Sequence, residues 1–316
     1  MSTVFSRVGT GHGVFSGKSG LSTYFTTSGN PPPPPPPPTP TYLLGQLSAP
    51  SVGAFSLRAV GGTSVLAVNV RRSTDNVKQD FYADLGSNLT TVSNQSLASW
   101  LGGATGYVAT WYDQSGSNNH AVQTTNANQP VIQASTKGPG YMVSFNGTSQ
   151  YVTLTSDGYS LLNGIDFTLN TVTQRTAAKS TINYVFGTNT QNGNFQNVGI
   201  GFDNDTTLSP LGNLTNTGGT QLTIAGYSGA GSARYITGTV IPTRAGYSNA
   251  TLIGTNTNAG LLQVPSGGSY SIGYVRNGQN FFYYTGNVFE LLVFGGGFDQ
   301  TSVTTVYNNQ FAVYGA

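Results

Sequence analysis

Short runs of alternating apolar and polar residues constrain the fold more than any other feature of this sequence. They recur along residues 51–316 between clusters of Gly, Asn, Ser and Asp, as the runs 64–70, 107–112 and 288–294 illustrate. A period of two places successive side chains on opposite faces of a strand, and the Gly, Asn and Asp clusters supply the turns. Because many short strands bury their apolar faces only by packing one layer on another, the sequence predicts an antiparallel β-sandwich.

Helical patterns are confined to two short segments. One lies near residues 94–101, and the other covers 299–314, where Asp299 is placed to cap an amphipathic helix. The predicted fold is therefore all-β, with a final helix.

The surface of this sandwich must be polar without being strongly charged. Charged residues make up 7% of the 316 residues, with a net charge of +2, whereas about a quarter is usual in soluble domains. The largest basic cluster is the pair Arg71 and Arg72, so nothing favours binding to nucleic acid. The chain has no Cys, which excludes disulfides, Cys-zinc sites and thiol catalysis. No run of about 18 apolar residues occurs, so we expect no membrane span.

The N-terminal part of the chain has a different composition. Residues 1–30 are rich in Gly, Ser and Thr with scattered large apolar side chains, which predicts an anchor that docks onto a partner. Residues 31–41 are almost all proline and predict a polyproline II spacer of about 30 Å. A plain spacer, a ligand for SH3 or WW domains and a shaft bundled with its own copies remain open. Residues 42–316 form the predicted sandwich head.

Several phrases of the head occur in the order of one family pattern. They are GAFSLR at 53–58, VNVRRSTD at 68–75, GYVATWYDQSG at 106–116, QP at 129–130, VSFNG at 143–147 and ELLVF at 290–294. The pattern resembles the sandwich domain of fungal α-L-arabinofuranosidase B and related laminin-G-like domains of bacterial, phage and giant-virus surface proteins. The resemblance implies a concanavalin A-like antiparallel β-sandwich, or jelly roll, here carried on an extended N-terminal arm.

The same resemblance argues against glycosidase activity. A retaining glycosidase needs two carboxyl groups about 5 to 5.5 Å apart. The family nucleophile is a Glu after a Gly-Phe-Asp phrase, and the matching segment 201–208 contains no Glu. The family acid is an Asp after an Ile-Gly-Gly phrase, and residues 272–276 hold no carboxylate there. The only Glu, Glu290, lies in a run typical of a buried strand, so we expect it to be structural and the protein not to be an enzyme.

Three groups of residues are candidates for a site or a structural network. A network is predicted around the WYDQSG phrase, in which Arg71 or Arg72 binds Asp113 and pins two strand ends; contact with a sugar is the alternative. Its members are Arg71, Arg72, Asp75, Trp111, Asp113 and Gln114.

Aromatic side chains supply the candidate glycan site, because sugars stack on aromatic rings while amides bind their hydroxyl groups. Its members are Tyr227, Tyr247, Tyr283 and Tyr284, although alternation along strands turns half of such a set toward the core. Asp203 and Asp205 bring oxygen ligands together, which suits a calcium site and a turn equally. Calcium is therefore the one cofactor left open.

Three classes of function fit these features: a structural component of a virion or surface appendage, a secreted carbohydrate-binding module and a glycosidase. The first residues lack a secretory signal, and an anchor, a stiff spacer and one head are typical of a fibre or capsid decoration. We therefore expect a virion or extracellular surface location. The expected partners are copies of the chain and other virion proteins, bound through residues 1–40, together with a host-surface glycan.

Overall fold

The computed structural model describes part of the chain. The described residues are 42–156, 161–162, 165–177, 183–190, 199–203, 207–211, 222–225, 234–240, 244–256 and 268–315. The predicted anchor 1–30 and spacer 31–41 lie outside them.

The described residues form an antiparallel β-sandwich, as predicted, with few helices. In chain order its strands are β1 Ser51–Ser56, β2 Ser64–Arg72, β3 Lys78–Asp84, β4 Leu89–Thr90, β5 Gly106–Trp111, β6 Ala121–Val122, β7 Val131–Ala134, β8 Tyr141–Asn146, β9 Val152–Leu154, β10 Phe167–Arg175, β11 Asn183–Thr190, β12 Gly199–Asp203, β13 Thr207–Leu211, β14 Leu222–Ala225, β15 Arg234–Val240, β16 Arg244–Ser248, β17 Thr251–Asn256, β18 Ser269–Ile272, β19 Tyr274–Asn277, β20 Asn280–Tyr283 and β21 Thr285–Phe294. The α-helices are α1 Leu97–Leu101 and α2 Gln300–Tyr314, with short 3-10 helices at Leu44–Gln46 and Asn126–Asn128.

Strand pairing is antiparallel except where β11 runs parallel to β19. The long strand β21 lies between β1 and β10 and also pairs with β8. A second run of neighbours leads from β5 through β6, β9, β18 and β11 to β12. The main hydrophobic core lies between these strands and includes the fully buried Phe55, Trp111 and Phe186.

The C-terminal helix α2 covers the outer side of β21 and β10. Asp299 caps it, because its carboxylate accepts a hydrogen bond from the Ser302 backbone N–H at 2.8 Å, as the sequence predicts. Val303 and Val306 of the helix pack in a second cluster with Phe294 of β21. Strand β21 is therefore buried on both faces, which explains its nearly continuous apolar sequence.

Candidate functional site

The hairpin formed by β19 and β20 presents a compact group of aromatic side chains. Gly278 and Gln279 form its two-residue turn, and Gly278 has a φ of 60°, a backbone conformation that glycine adopts readily. The register places Tyr274 opposite Tyr283 and Arg276 opposite Phe281. Because alternate residues share a face, these four side chains project from the same side of the hairpin.

A fourth ring completes the group. Tyr151, just before β9, lies 5.0 Å from Tyr274 and 6.4 Å from Tyr283 between ring centroids. Tyr274 itself lies 4.8 Å from Tyr283, and 6.3 Å from Phe281 with the two rings nearly parallel at 17°. We call Tyr151, Tyr274, Phe281 and Tyr283 the aromatic face. Phe281 is 53% exposed and Tyr274 is 8% exposed, so the face has a buried floor and an accessible edge.

Gly273 joins β18 to the β19–β20 hairpin. Its φ is +86°, and a Cβ at this position would overlap the ring of Phe145. Its N–H donates to the Val185 carbonyl at 2.7 Å, and its own carbonyl accepts from the Tyr284 N–H at 2.9 Å. Only glycine satisfies this conformation and this close approach without strain, so Gly273 fixes where Tyr274 begins the aromatic face.

A row of polar side chains holds the hairpin against the neighbouring strands. The Thr153 and Ser271 hydroxyl groups lie 2.9 Å apart, and the Asn189 side-chain amide donates to the same serine oxygen. The Asn189 carbonyl oxygen accepts from the backbone N–H of Arg276 at 3.0 Å. These bonds join β9, β18, β11 and β19, so the aromatic face rests on a hydrogen-bonded support.

Two tyrosines of the aromatic face, Tyr274 and Tyr283, remain protonated at neutral pH. Burial, with smaller contributions from the Tyr283 and Tyr151 hydroxyl groups, raises the pKa of Tyr274 to about 12, against the opposing effect of Arg276. Burial and the neighbouring Tyr151 also raise the pKa of Tyr283. Protonated phenol groups both donate and accept hydrogen bonds, so rings and hydroxyl groups are presented together.

Those tyrosines predicted to bind glycan that the structure describes lie in different environments. Tyr283 belongs to the aromatic face, but Tyr284 is fully buried, and its hydroxyl group lies 2.5 Å from the Thr173 hydroxyl group. Tyr247 is 7% exposed and packs in the cluster beneath α2. Neither buried ring presents a surface to a sugar, which corrects the predicted set for these two residues. Tyr227 lies outside the described residues.

Sequence reasoning missed Tyr151, Tyr274 and Phe281. The signal for the hairpin was Gly278 followed by Gln279 between two short runs with aromatic residues, since glycine at the first position is typical of a two-residue hairpin turn. Pairing the runs around it would have placed Tyr274 and Phe281 with Tyr283. Tyr151 carried no comparable signal, because it reaches the face through the pairing of β9 with β18, which is distant in sequence.

The predicted arginine network has different partners in the structure. Arg71 Nε donates to the Gln129 side-chain oxygen at 2.6 Å, and Arg72 pairs with Asp75 at 2.6 Å. In the described part of the chain neither arginine binds Asp113, which corrects that prediction. The cause is strand register, which places the two arginines opposite the start of β5, whereas Asp113 follows its end.

Asp113 instead organises the loop after β5. Its carboxylate accepts hydrogen bonds from the backbone N–H groups of Ala54 and Ser115 at 2.8 Å, and of Asn119 at 3.0 Å. The Ser115 hydroxyl group donates a further bond at 2.8 Å. These bonds occupy both oxygens of Asp113, so the carboxylate ties this loop to β1.

Gln114 makes a second tie to the segment after β1. Its side-chain oxygen accepts from the Val60 N–H at 2.9 Å, and its amide donates to the carbonyls of Ser56 and Arg58 at 2.8 and 3.1 Å. Trp111 at the end of β5 is fully buried and packs edge-on against Phe55 at 6.1 Å. In the structure, the WYDQSG phrase thus links β1 and β5.

Glu290 is the centre of a buried ion pair. It lies in β21 with no exposed surface, and Arg58 Nε donates to its carboxylate at 2.8 Å. The same carboxylate accepts from the Ser56 hydroxyl group at 2.9 Å, the Gln310 amide at 2.9 Å and the Tyr314 hydroxyl group at 3.3 Å. Burial lowers the pKa of the Arg58 guanidinium, but Glu290 and, to a smaller extent, Tyr314 more than offset this effect, so the pKa is raised overall. Glu290 therefore joins β1, β21 and α2.

The calcium prediction remains a prediction. Asp203 ends β12, its side chain is not among those described, and Asp205 lies outside the described residues. Among the residues that the structure does describe, no three His, Asp or Glu side chains come together as metal ligands do. In the same part of the chain, no helix has the length and apolar character needed to cross a membrane.

An open groove of about 510 Å³ lies beside α1. Small and apolar residues form most of its wall, including Ala98, Leu101, Ala104, Val131 and Ile132. Thr105, Gln133 and Tyr141 are the polar side chains in its lining.

Solved structures of two arabinofuranosidases share the fold of this chain. A GH54 α-L-arabinofuranosidase soaked with 4-nitrophenyl α-L-arabinofuranoside superposes with a TM-score of 0.60 at 15% identity, covering 84% of this chain and 63% of that one. An arabinofuranosidase complexed with arabinofuranosyl-α-1,2-xylobiose gives a TM-score of 0.60 at 15% identity, covering 87% and 65%. The chain thus spans less than two thirds of the length of these enzymes. No protein-family model and no curated protein sequence matches the chain. The likeness identifies the sandwich fold, and at this identity it identifies the fold alone.

Proposed function

We propose that this protein is a carbohydrate-binding sandwich and that its aromatic face is the binding surface. The observation that carries the proposal is the cluster of four rings on one side of the β19–β20 hairpin, with Phe281 53% exposed. Sugar rings present C–H faces that stack on aromatic rings, and tyrosine hydroxyl groups bind sugar hydroxyl groups at the ring edge. The hydrogen-bonded row beneath the hairpin favours a preformed surface, which reduces the entropy lost on binding.

We further propose that the head serves as a non-enzymatic component of a virion or surface appendage. The predicted anchor at 1–30 and proline spacer at 31–41 support this role, since together they suit attachment of a head to a larger assembly. The low content of charged residues, at 7%, is compatible with an exposed structural protein. A secreted carbohydrate-binding module is the alternative, and it uses the same aromatic face.

The absence of glycosidase activity is part of the proposal. Glu290 is buried against Arg58, and the carboxylate of Asp113 is occupied by backbone N–H groups. Other described carboxylates also have structural partners: Asp75 with Arg72, Asp80 with Tyr112, Asp84 with Asn88, and Asp299 at the start of α2. A retaining mechanism requires a carboxylate free to attack the sugar, a condition that these six residues do not meet.

A glycan array on the full chain tests the binding proposal. Phe281→Ala removes the most exposed ring of the aromatic face, and Phe311→Ala is a matched control, because Phe311 is 40% exposed on α2. We expect the wild type and Phe311→Ala to bind the same glycans, with Phe281→Ala at least about tenfold weaker. Equal binding by both variants would remove the aromatic face from the proposal. Release of nitrophenol from 4-nitrophenyl α-L-arabinofuranoside would contradict the non-enzymatic assignment.

Light scattering tests the assembly proposal. We expect the full chain to form an oligomer. A truncated chain of residues 42–316 should form an assembly with fewer subunits, because the truncation removes the predicted anchor. If both preparations are monomers, the anchor does not assemble the protein.

A further inference from the structure

We propose that the aromatic face selects carbohydrates that carry a carboxylate group, and that Arg276 binds this carboxylate. The inference deepens the proposed function and rests on it. It assigns a chemical class to the ligand, namely acidic sugars such as uronic acids or sialic acids.

The position of Arg276 is the first observation. Arg276 lies on the same side of the hairpin as the four rings and directly opposite Phe281. Its guanidinium carbon lies 5.3 Å from the centroid of the Phe281 ring, and its Nε donates to the Gly278 carbonyl at 2.9 Å. These contacts orient the guanidinium group at the exposed edge of the aromatic face.

The two terminal nitrogens of Arg276 are the second observation. Among the hydrogen bonds of the described residues, Arg276 uses its Nε and its backbone N–H but neither terminal nitrogen. A guanidinium group held by Nε on one side presents its remaining N–H groups as donors with fixed geometry. This pair of donors matches the two oxygens of a carboxylate. A neutral sugar hydroxyl group has one oxygen and cannot accept both hydrogen bonds in the same way.

The local charge is the third observation. Among the described residues, the groups that act on the Tyr274 hydroxyl group are Tyr283, Tyr151 and Arg276, and no described carboxylate is among them. The described carboxylates with structural partners belong to other strands and loops, such as Asp75 on the turn after β2 and Asp113 after β5. Arg276 therefore places a positive charge at the described aromatic face, which favours anionic ligands over neutral ones.

The test uses matched pairs of acidic and neutral glycans with the full chain. Trigalacturonic acid is compared with its methyl ester, and sialyllactose is compared with lactose, so that uronic and sialic acids are distinguished. We expect the acidic member of at least one pair to bind about tenfold or more tightly than its neutral counterpart, and its affinity to fall as salt is raised.

Three variants separate charge recognition from structural effects. Arg276→Gln should bring the acidic and neutral affinities together, and Arg276→Lys should retain part of the preference because it keeps the charge without the pair of donors. Lys78→Gln, an exposed residue at the start of β3, is the matched control for net charge and should leave the preference unchanged. Thermal melting of each variant verifies that it is folded.

The alternative outcomes are distinguishable. Equal affinity for both members of each pair, unaffected by Arg276→Gln, would overturn the preference for acidic sugars and leave carbohydrate binding intact. An equal loss of acidic and neutral binding in Arg276→Gln would mean that Arg276 only supports the hairpin, and would also overturn the inference. Absence of binding to any glycan in the array and in these pairs would overturn the proposed function itself.

Discussion

The buried Glu290–Arg58 pair offers the sharpest test of how this sandwich is held together. Replacing Glu290 by Gln preserves the shape of the side chain and one hydrogen-bond acceptor, but it removes the charge. Arg58, whose side chain is 7% exposed, would then remain as a buried cation with no carboxylate partner. The bonds from Ser56, Gln310 and Tyr314 now converge on this single carboxylate, so the variant also disturbs the contact with α2.

The structure allows the magnitude to be worked out. Removing one partner of a buried ion pair costs about 3–5 kcal/mol, because the other charge stays desolvated. For a domain of this size, each kcal/mol shifts the melting temperature by about 2–4 °C. We therefore expect Glu290→Gln to lower the melting temperature by roughly 6–20 °C.

Differential scanning calorimetry with a matched control measures this effect. Asp75→Asn breaks the ion pair with Arg72, which has a similar distance of 2.6 Å but lies on the surface with side chains 26% and 40% exposed. We expect little change for this control, because solvent screens exposed pairs. The reasoning would be refuted if Glu290→Gln melted at the wild-type temperature, or if the two variants lost equal stability.

Three further predictions follow from buried groups and backbone geometry. Burial raises the pKa of the Tyr284 and Tyr314 hydroxyl groups above the ordinary value of 10.0. As pH rises, the unfolded chain therefore loses these hydroxyl protons at a lower pH than the folded protein does. The free energy of unfolding should therefore keep its full value below about pH 10 and fall above that pH by about 1.4 kcal/mol per tyrosine per pH unit. An unchanged urea midpoint between about pH 9 and pH 11 would contradict this expectation. Asp113→Asn should lower the free energy of unfolding by about 1.5–3 kcal/mol in urea titrations, because an amide nitrogen replaces one acceptor oxygen; an unaltered midpoint would exclude the proposed loop tie. Gly273→Ala should weaken glycan binding and lower stability by more than about 1 kcal/mol, since alanine at positive φ displaces the hairpin, and wild-type binding would show that this angle is unimportant.

The β-sandwich could be predicted because its signal is local. Alternating runs marked β2 and β5, a mostly apolar run marked β21, and Asp299 marked the start of the C-terminal helix. The sequence did not reveal that β10 is buried on both faces, since Thr168 and Asn170 alternate with apolar residues as on a half-exposed strand. The outer side of this strand is covered by α2, a contact between segments distant in sequence that no local pattern encodes.

The candidate site was predicted less well, because it too depends on contacts between segments that are distant in sequence. The composition indicated aromatic stacking, and Tyr283 lies on the aromatic face. Tyr284 is adjacent in sequence but faces the core, because alternation turns neighbouring side chains in opposite directions. Tyr151 joins the face only through strand pairing across the sandwich. The roles of Glu290 and Asp113 similarly depend on partners far along the chain, which explains why the arginine partner of Asp113 was predicted incorrectly.

The most direct test of the central claim is a crystal structure of the full chain with the tightest-binding oligosaccharide from the glycan array. The account predicts a sugar ring stacked on Phe281 or Tyr283 of the aromatic face, with its polar groups near Arg276 and the tyrosine hydroxyl groups. An oligosaccharide bound in the groove beside α1, or elsewhere with the aromatic face empty, would contradict the account.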